Sequence, residues 1–244
     1  MAAKRLLLFL FLLALALGGA LVGATFYLFR PYPAEAWVQG YLSRAGLVPK
    51  EAPYGLELFP KAPKALLAFY PGARVDPLAY APVLAPLVEA GYGVVLLKVP
   101  QGIALLAKGR AHPGLPLAVG GHSLGGVVAA GVAAQEKLPL VLFAAYPEED
   151  LSEEAFPTLA LFGTEDGLLP PEEAREKAKR LPKKARVVFV EGLNHAGFGA
   201  YGAQRGDRPL KRPREALWEE VRAEVLLFLE GLGWDTPPSP KALR

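Results

Sequence analysis

The pentapeptide Gly121-His122-Ser123-Leu124-Gly125 constrains the fold of this chain more than any other part of its sequence. An apolar run typical of a buried strand, residues 115–120, precedes it, and a helix-like run, residues 126–134, follows it. The order predicts a sharp turn that leads from a strand directly into a helix. A glycine two residues before the serine and another two residues after it favour such a turn, because side chains there would collide with the tightly folded backbone.

The predicted turn would hold the Ser123 hydroxyl at the tip of a sheet, beside the positive end of a helix. That position suits attack on a carbonyl carbon, and G-x-S-x-G between a strand and a helix is the signature of a nucleophile elbow. With 26 glycines and four serines in the chain, random order gives only about 0.05 matches. The alternative is a glycine-rich turn in a parallel sheet that carries no chemistry.

A base for Ser123 is predicted at His195. A hydroxyl is a poor nucleophile until a base takes its proton and an acidic side chain orients that base. In the elbow architecture the chain order is serine, acid, histidine. Of the three histidines, His112 precedes the serine, and His122 adjoins it, so the His122 side chain should point away from the hydroxyl. His195 remains, in a glycine-rich loop after a strand-like run; the alternative is a histidine of a surface loop.

Asp166 is the predicted acid, because it directly follows a strand-like run, residues 158–162. Glu165 is its close rival. Asp150 also lies between the serine and the histidine, but its acidic neighbours indicate a solvated loop. The alternative for Asp166 is a turn residue or the N-cap of a helix that begins near residue 170.

Acyl transfer also needs hydrogen-bond donors for the developing oxyanion. One is predicted at the backbone N–H of Leu124, at the start of the helix. The second is expected in the loop after an earlier strand, residues 65–70, where Ala73 is the first choice and Gly72 the next.

Taken together, these stretches resemble the α/β-hydrolase superfamily, over roughly residues 52–232. They look closest to its compact, lidless group, α/β-hydrolase fold 5, which is related to the dienelactone hydrolases. The resemblance implies a triad of Ser123, Asp166 and His195. The chain departs from the dienelactone hydrolases, which use a cysteine, and from haloalkane dehalogenases, which use an aspartate at the elbow. The stretches that carry the likeness are residues 70–77, 121–125, 163–167 and 194–199.

The apolar runs predict an α/β fold with a mostly parallel central sheet, because they lack alternation and so indicate strands buried on both faces. About a dozen residues separate the last two strands before Asp166, which leaves no room for a large lid. Predicted strands are 65–70, 94–99, 115–120, 138–145, 158–162 and 186–190; predicted helices are 34–45, 76–90 (interrupted by three prolines), 171–181 and 214–232.

Composition excludes several kinds of site. The chain has no cysteine, so it has no disulfide or thiolate site, and three scattered histidines argue against zinc. A net charge of +3 is too small to indicate nucleic acid as a partner. No cofactor or metal is expected. One asparagine, one methionine and abundant proline are a thermophile tendency. An apolar rim is expected from Leu168, Leu169, Phe198 and Tyr201.

Residues Leu6 to Phe29 carry no charge and as a helix would span about 36 Å, enough to cross a bilayer. Lys4 and Arg5 before them should stay cytoplasmic, which predicts an uncleaved single-pass anchor with the following domain outside the cytoplasmic membrane. The alternative is a signal peptide cleaved before Thr25 or after a second small-residue stretch, which would release the protein.

The predicted organisation is an anchor or signal segment at residues 1–30, a juxtamembrane linker at 31–51, a hydrolase domain at 52–234 and a disordered tail at 235–244. Aromatic residues of the linker are expected near the membrane interface or packed on the domain. The leading hypothesis is a serine carboxylesterase that acts on a small-molecule ester. The alternatives are an envelope acyltransferase on the same fold and an inactive, membrane-anchored binding domain.

Overall fold

A computed structural model describes residues 12–23, 30–98, 112 and 114–234. It divides into two compact units, Met1–Tyr32 and Pro33–Arg244. In the first unit, residues 12–23 form helix α1. The described helices include none with the length and apolar character needed to cross a bilayer. The predicted span covers residues 6–29, of which 6–11 and 24–29 lie outside the described residues, as does the predicted tail at 235–244.

Within its described residues, the second unit is built on a single sheet of eight strands. Six strands are parallel neighbours, and the first two are antiparallel additions at one edge. The order across the sheet is β1-β2-β4-β3-β5-β6-β7-β8. The strands are β1 Lys50–Ala52, β2 Gly55–Leu58, β3 Ala65–Tyr70, β4 Tyr92–Leu97, β5 Leu117–His122, β6 Leu140–Phe143, β7 Thr158–Gly163 and β8 Arg186–Val190.

The central strands are buried on both faces, as the continuous apolar runs predict. Every residue of β3, β4, β5, β6 and β7 is buried. Strand β8 at the edge starts with exposed residues. The α/β fold with a mostly parallel sheet is confirmed.

Helices flank this sheet, and prolines divide the predicted helix at residues 76–90. That segment forms a 3₁₀ turn followed by two four-residue helices, because a proline inside a helix removes a hydrogen bond and clashes with the preceding turn. The helices are α2 Trp37–Arg44, α3 Ala81–Leu84, α4 Pro86–Glu89, α5 Leu124–Glu136, α6 Pro171–Ala178 and α7 Arg214–Glu230, with 3₁₀ turns at Pro77–Tyr80 and Ala196–Phe198.

Residues 33–51 belong to the second compact unit, which begins at Pro33. The side chain of Glu35 forms two hydrogen bonds of 2.8 Å with the guanidinium of Arg214, and the bond lowers the pKa of Glu35. Trp37 packs against Trp218 at a ring distance of 6.1 Å, and Val38 of α2 is fully buried. Of the two placements expected for the aromatic residues of this segment, packing on the domain is the one seen for Trp37, which contacts α7.

Candidate active site

The three predicted catalytic residues follow strands whose carboxyl ends lie at the same edge of the sheet. Ser123 follows β5, Asp166 follows β7 and His195 follows β8, and these strands all run in the same direction. Because the carboxyl ends of parallel strands lie at one edge, the topology gathers residues that are far apart in sequence. Ligands of open α/β sheets bind at this edge.

Ser123 lies in a strained turn between β5 and α5. Its φ of 52° and ψ of −126° are sterically unfavourable for a residue with a side chain, at a cost of about 1–3 kcal/mol. A Cβ on Gly121 would lie 2.4 Å from the Gly125 carbonyl oxygen, and one on Gly125 would lie 2.1 Å from the Pro71 carbonyl oxygen. Both glycines therefore have the steric role that the sequence predicts.

Asp166 and His195 form a buried hydrogen-bonded pair. The His195 Nδ1 atom lies 2.8 Å from Asp166 Oδ2, and both side chains are almost fully buried. The other carboxylate oxygen, Oδ1, accepts the N–H groups of Leu168 and Leu169 at 2.8 and 2.7 Å. With Nδ1–H donated to the carboxylate, a neutral His195 has Nε2 left as the base.

The rival carboxylates are placed differently. Asp150 is exposed, and its Oδ1 accepts the N–H of Ser152. Glu165 lies next to Asp166, but Asp166 is the one that bonds the imidazole. The turn role considered for Asp166 is also present, because its Oδ1 closes the turn that leads to α6. The two roles use different oxygens of one carboxylate.

His195 packs against the residue that immediately precedes Ser123. The His122 and His195 rings lie 4.7 Å apart, and His122 Nε2 is 3.1 Å from the His195 carbonyl oxygen. The side chain of His122 is buried. This contact joins the loop that carries His195 to the end of β5, directly before the turn that carries Ser123.

Gly72 and Ala73, the two candidates for the second oxyanion donor, have different surroundings in the structure. The N–H of Gly72 donates to the Tyr80 hydroxyl oxygen at 2.9 Å, so it is already used. Ala73 is the next residue and lies exposed in the turn. Leu124 is the first residue of α5, where N–H groups have no acceptor within the helix. The N–H groups of Leu124 and Ala73 stay the predicted oxyanion donors.

Asp207 is a site residue that the sequence analysis missed. Its Oδ1 accepts the N–H groups of Gly167 and His195 at 3.0 and 3.2 Å, and its Oδ2 accepts that of Ala196 at 2.8 Å. One carboxylate thus ties the loop of the acid to the loop of the histidine. In the sequence it is only an aspartate after a glycine in a loop. Its separation from His195 along the chain does not indicate a contact between them.

Asn194, the only asparagine of the chain, supports the same loop. Its Oδ1 accepts the N–H of Gly197 at 2.8 Å, and its Nδ2 donates to the Arg208 carbonyl oxygen. The amide bridges the loop that carries His195 and the loop that carries Asp207. An amide suits this place because it donates and accepts at once.

If the chain catalyses the ester hydrolysis that its sequence predicts, Asp207→Ala is expected to lower kcat by about tenfold to hundredfold, because small displacements of a catalytic group are costly. Unfolding free energy should fall by about 1–3 kcal/mol, because partly buried N–H groups lose their acceptor. Chemical denaturation and steady-state kinetics measure both effects. Asp150→Ala is the matched control, since Asp150 also caps one backbone N–H but lies on an exposed loop. Equal kinetics for the two variants would contradict the prediction.

His122 is expected to make the fold sensitive to acid. Burial, followed by the nearby His195 imidazole, holds the pKa of His122 well below its usual value. The neutral ring is therefore favoured in the folded state, and its contribution is complete above the unfolded pKa of about 6.5. Unfolding free energy should fall as pH decreases below that value, with a slope of up to about 1.4 kcal/mol per pH unit from this residue. Urea titrations between neutral and mildly acidic pH measure the slope, and a flat profile would contradict the prediction.

The predicted apolar rim is mostly wrong. Leu169, Phe198 and Tyr201 are buried, so only Leu168 of that set is exposed, at 39%. Phe198 packs in the core against Phe143, which removes it from the surface. Leu124, directly after the serine, is 58% exposed and was not assigned to the rim.

Metal chemistry has no candidate ligand cluster in the described part of the chain. Groups of three or more histidine, aspartate or glutamate side chains with the right proximity are absent from residues 12–23, 30–98, 112 and 114–234.

Solved structures share this fold at low sequence identity. A putative lipase from Acinetobacter baumannii AYE has a TM-score of 0.58 and 15% identity, with 82% of this chain and 96% of that chain covered. A ferulic acid esterase from Streptomyces cinnamoneus has a TM-score of 0.57 and 17% identity, with 75% of this chain and 71% of that chain covered. A lidless α/β serine hydrolase from Xanthomonas campestris has a TM-score of 0.53 and 17% identity, covering 76% and 94%.

The sequence comparisons give the family. No curated protein matches the chain. The profile of the alpha/beta hydrolase family matches residues 66–219, well over half of the chain, including the serine turn, Asp166 and His195. The strand order, the strained serine after β5 and the fold shared with the lidless hydrolase from Xanthomonas campestris agree with that match. The chain belongs to the alpha/beta hydrolase family.

Proposed function

We propose that the protein is a serine hydrolase that cleaves carboxylic esters through an acyl-enzyme intermediate. The observation that carries the proposal is the buried Asp166–His195 pair, packed against the residue before a strained Ser123. A structural role alone gives no reason to keep a serine in a costly backbone conformation next to such a pair. Strained residues cluster at functional sites.

In the proposed reaction, His195 Nε2 removes the Ser123 hydroxyl proton while the oxygen attacks the ester carbonyl carbon. Asp166 orients His195 and stabilises the imidazolium that forms. The carbonyl oxygen gains negative charge, which the N–H groups of Leu124 and Ala73 stabilise. The imidazolium then protonates the leaving alcohol as the C–O bond breaks. Water then attacks the acyl-enzyme carbonyl carbon as the same imidazole takes its proton. The bond between that carbon and Ser123 Oγ breaks, and the imidazolium returns the proton to Oγ, which releases the acid and free Ser123.

An ester is the proposed substrate class because of the surroundings of the serine. Residues 144–157, between β6 and β7, form a loop without a helix, so this connection carries no helical lid. Leu124 and Leu168 provide exposed apolar surface near the serine turn and the acid loop. The names of two solved relatives, a ferulic acid esterase and a putative lipase, support ester substrates.

A fluorophosphonate probe combined with p-nitrophenyl esters tests the proposal. The acetate, butyrate, octanoate and palmitate esters compare acyl lengths, and a pre-steady-state burst of p-nitrophenol reports the acyl-enzyme. Labelling of the folded protein and turnover of at least one ester are expected. A folded protein that is neither labelled nor active would overturn the proposal and favour a binding domain. Labelling with transfer to an added alcohol in place of hydrolysis would favour an acyltransferase.

We also propose that residues 6–29 anchor the protein in the cytoplasmic membrane, with the hydrolase domain outside it. The support is the uncharged, apolar sequence of this segment and the two basic residues, Lys4 and Arg5, before it. N-terminal sequencing of the protein from the membrane fraction tests the proposal. An intact N-terminus is expected, whereas a mature protein that starts at Thr25 would overturn the anchor in favour of a cleaved signal.

A further inference from the structure

A chain of buried hydrogen bonds connects the loop after β3, which contains Gly72 and Ala73, to the loop after β8, which contains His195. The N–H of Gly72 donates to the Tyr80 hydroxyl oxygen at 2.9 Å, and that oxygen lies 2.8 Å from His122 Nδ1. His122 Nε2 lies 3.1 Å from the His195 carbonyl oxygen. Tyr80 is fully buried and His122 is 1% exposed, so water does not compete for these groups.

Each proton in this chain has one possible place. A carbonyl oxygen only accepts, so His122 Nε2 must carry the proton that it donates to His195. In a neutral imidazole the other nitrogen is then an acceptor, and the Tyr80 O–H must donate to it. Tyr80 in turn accepts the Gly72 N–H. Burial raises the pKa of Tyr80 and, with the His195 imidazole, lowers the pKa of His122, so both groups stay neutral.

The chain joins two loops that have different tasks in the proposed reaction. Gly72 directly precedes Ala73, the second oxyanion donor, whereas His195 is the base. The fit is close, because a Cβ on Gly72 would lie 2.8 Å from His122 Nδ1. A shift of either loop would break a hydrogen bond in a buried place, where an unpaired polar group is costly.

We infer that Tyr80 and His122 are positioning residues that hold the oxyanion donor at Ala73 and the base at His195 in one fixed geometry. The inference rests on the proposed function. Both residues act through others: Tyr80 through the Gly72 N–H, and His122 through the His195 carbonyl oxygen. The ordered chain maintains the distance between the oxyanion donors and the imidazole before substrate arrives, as preorganised stabilisation of a transition state requires.

Tyr80→Phe tests the inference, with Tyr92→Phe as the matched control. Both tyrosines are fully buried, but Tyr92 begins β4, at the opposite end of the parallel strands. Tyr80→Phe should lower kcat by about tenfold to hundredfold and change KM by less than about threefold, because oxyanion stabilisation acts in the transition state. Affinity for a boronic acid, which forms a tetrahedral serine adduct, should fall in parallel. Tyr92→Phe should leave kcat and boronic acid affinity within about twofold of wild type, as a substitution remote from the reacting groups.

The outcomes separate this inference from the proposed function. A wild-type protein that does not hydrolyse any ester contradicts the proposed function. An active wild type whose Tyr80→Phe variant folds, loses stability and keeps kcat and boronic acid affinity overturns only the inference. Such a result would make the tyrosine a core residue without a role in the geometry of the site.

Imidazole nitrogen NMR gives a second test, and its wild-type part does not depend on whether the variant folds. In the wild type, the His122 signals should show a neutral ring with its proton on Nε2 from mildly acidic to mildly alkaline pH. In a folded Tyr80→Phe variant, the Nδ1 signal should move because its hydrogen-bond donor is gone. A proton on Nδ1, or a charged ring at neutral pH, would overturn the inference even if Tyr80→Phe fails to fold.

Discussion

Replacing Ser123 by alanine is expected to reduce kcat for p-nitrophenyl ester hydrolysis by roughly a millionfold, to the limit of detection. The alanine removes the atom that attacks the carbonyl carbon, and no other group at the turn replaces it. The variant should fold, because alanine keeps the Cβ of serine, which the turn already accommodates, and adds no atom. Fluorophosphonate labelling should disappear together with turnover, as read by gel fluorescence and steady-state kinetics.

Ser43→Ala is the control for that substitution. Ser43 lies exposed on α2, where its hydroxyl donates to the Gln39 carbonyl oxygen. The variant should keep wild-type labelling and kcat. Residual labelling of Ser123→Ala at the wild-type rate would show that another residue is the nucleophile.

Asp166→Asn is expected to lower kcat by roughly ten thousandfold. An amide places an N–H₂ group or a neutral oxygen next to His195 Nδ1, so the imidazole loses the partner that holds its tautomer and stabilises its charged form. The Leu168 and Leu169 N–H groups can still bond the remaining carbonyl oxygen, which keeps the turn intact. Steady-state kinetics at saturating ester measure the effect, with circular dichroism to verify folding.

Glu165→Gln is the paired control, because it makes the same chemical change at the adjacent residue. Its kcat should remain within about threefold of wild type, since a substitution outside the reacting geometry removes no transition-state interaction. The two variants together decide between the rival carboxylates. If Glu165→Gln were the inactive one, the assignment of the acid would be wrong, although the rest of the site would stand.

The sequence is sufficient to predict the parts of the site that have fixed chain order and steric signatures. Gly121 and Gly125 identify the turn, and the apolar runs before Ser123 and Asp166 identify strands that end at the same edge. The geometry of Asp166 and His195 agrees with the order expected from those runs. These features are local in sequence, or follow from the direction of parallel strands.

Residues that act through tertiary contacts could not be predicted from the sequence. Asp207 lies 12 positions from His195, in a loop without periodicity, yet accepts its N–H. Tyr80 lies 42 positions from His122 and reads as one apolar residue of a proline-interrupted helix. The predicted rim was wrong for the same reason, since the burial of Phe198 depends on a contact with Phe143 of β6.

The first two strands and the attachment of residues 33–51 to the domain also depend on tertiary contacts, which local sequence patterns do not reveal. Strand β1 has only three residues, and β2 follows it after two more, so neither gives a run long enough to show strand periodicity. Helix α2 was predicted as a short helix, but its attachment required the partners of Glu35 and Trp37 on α7. A pattern within residues 33–51 does not reveal those partners.

A crystal structure of the protein after reaction with a fluorophosphonate tests the central claim most directly. The adduct should sit on Ser123, with a phosphonyl oxygen roughly 2.7–3.1 Å from the N–H nitrogens of Leu124 and Ala73. The Nε2 atom of His195 should lie within about 3.2 Å of Ser123 Oγ or of an adduct oxygen. An adduct on another residue, or a His195 ring beyond hydrogen-bond reach of the adduct, would contradict the account.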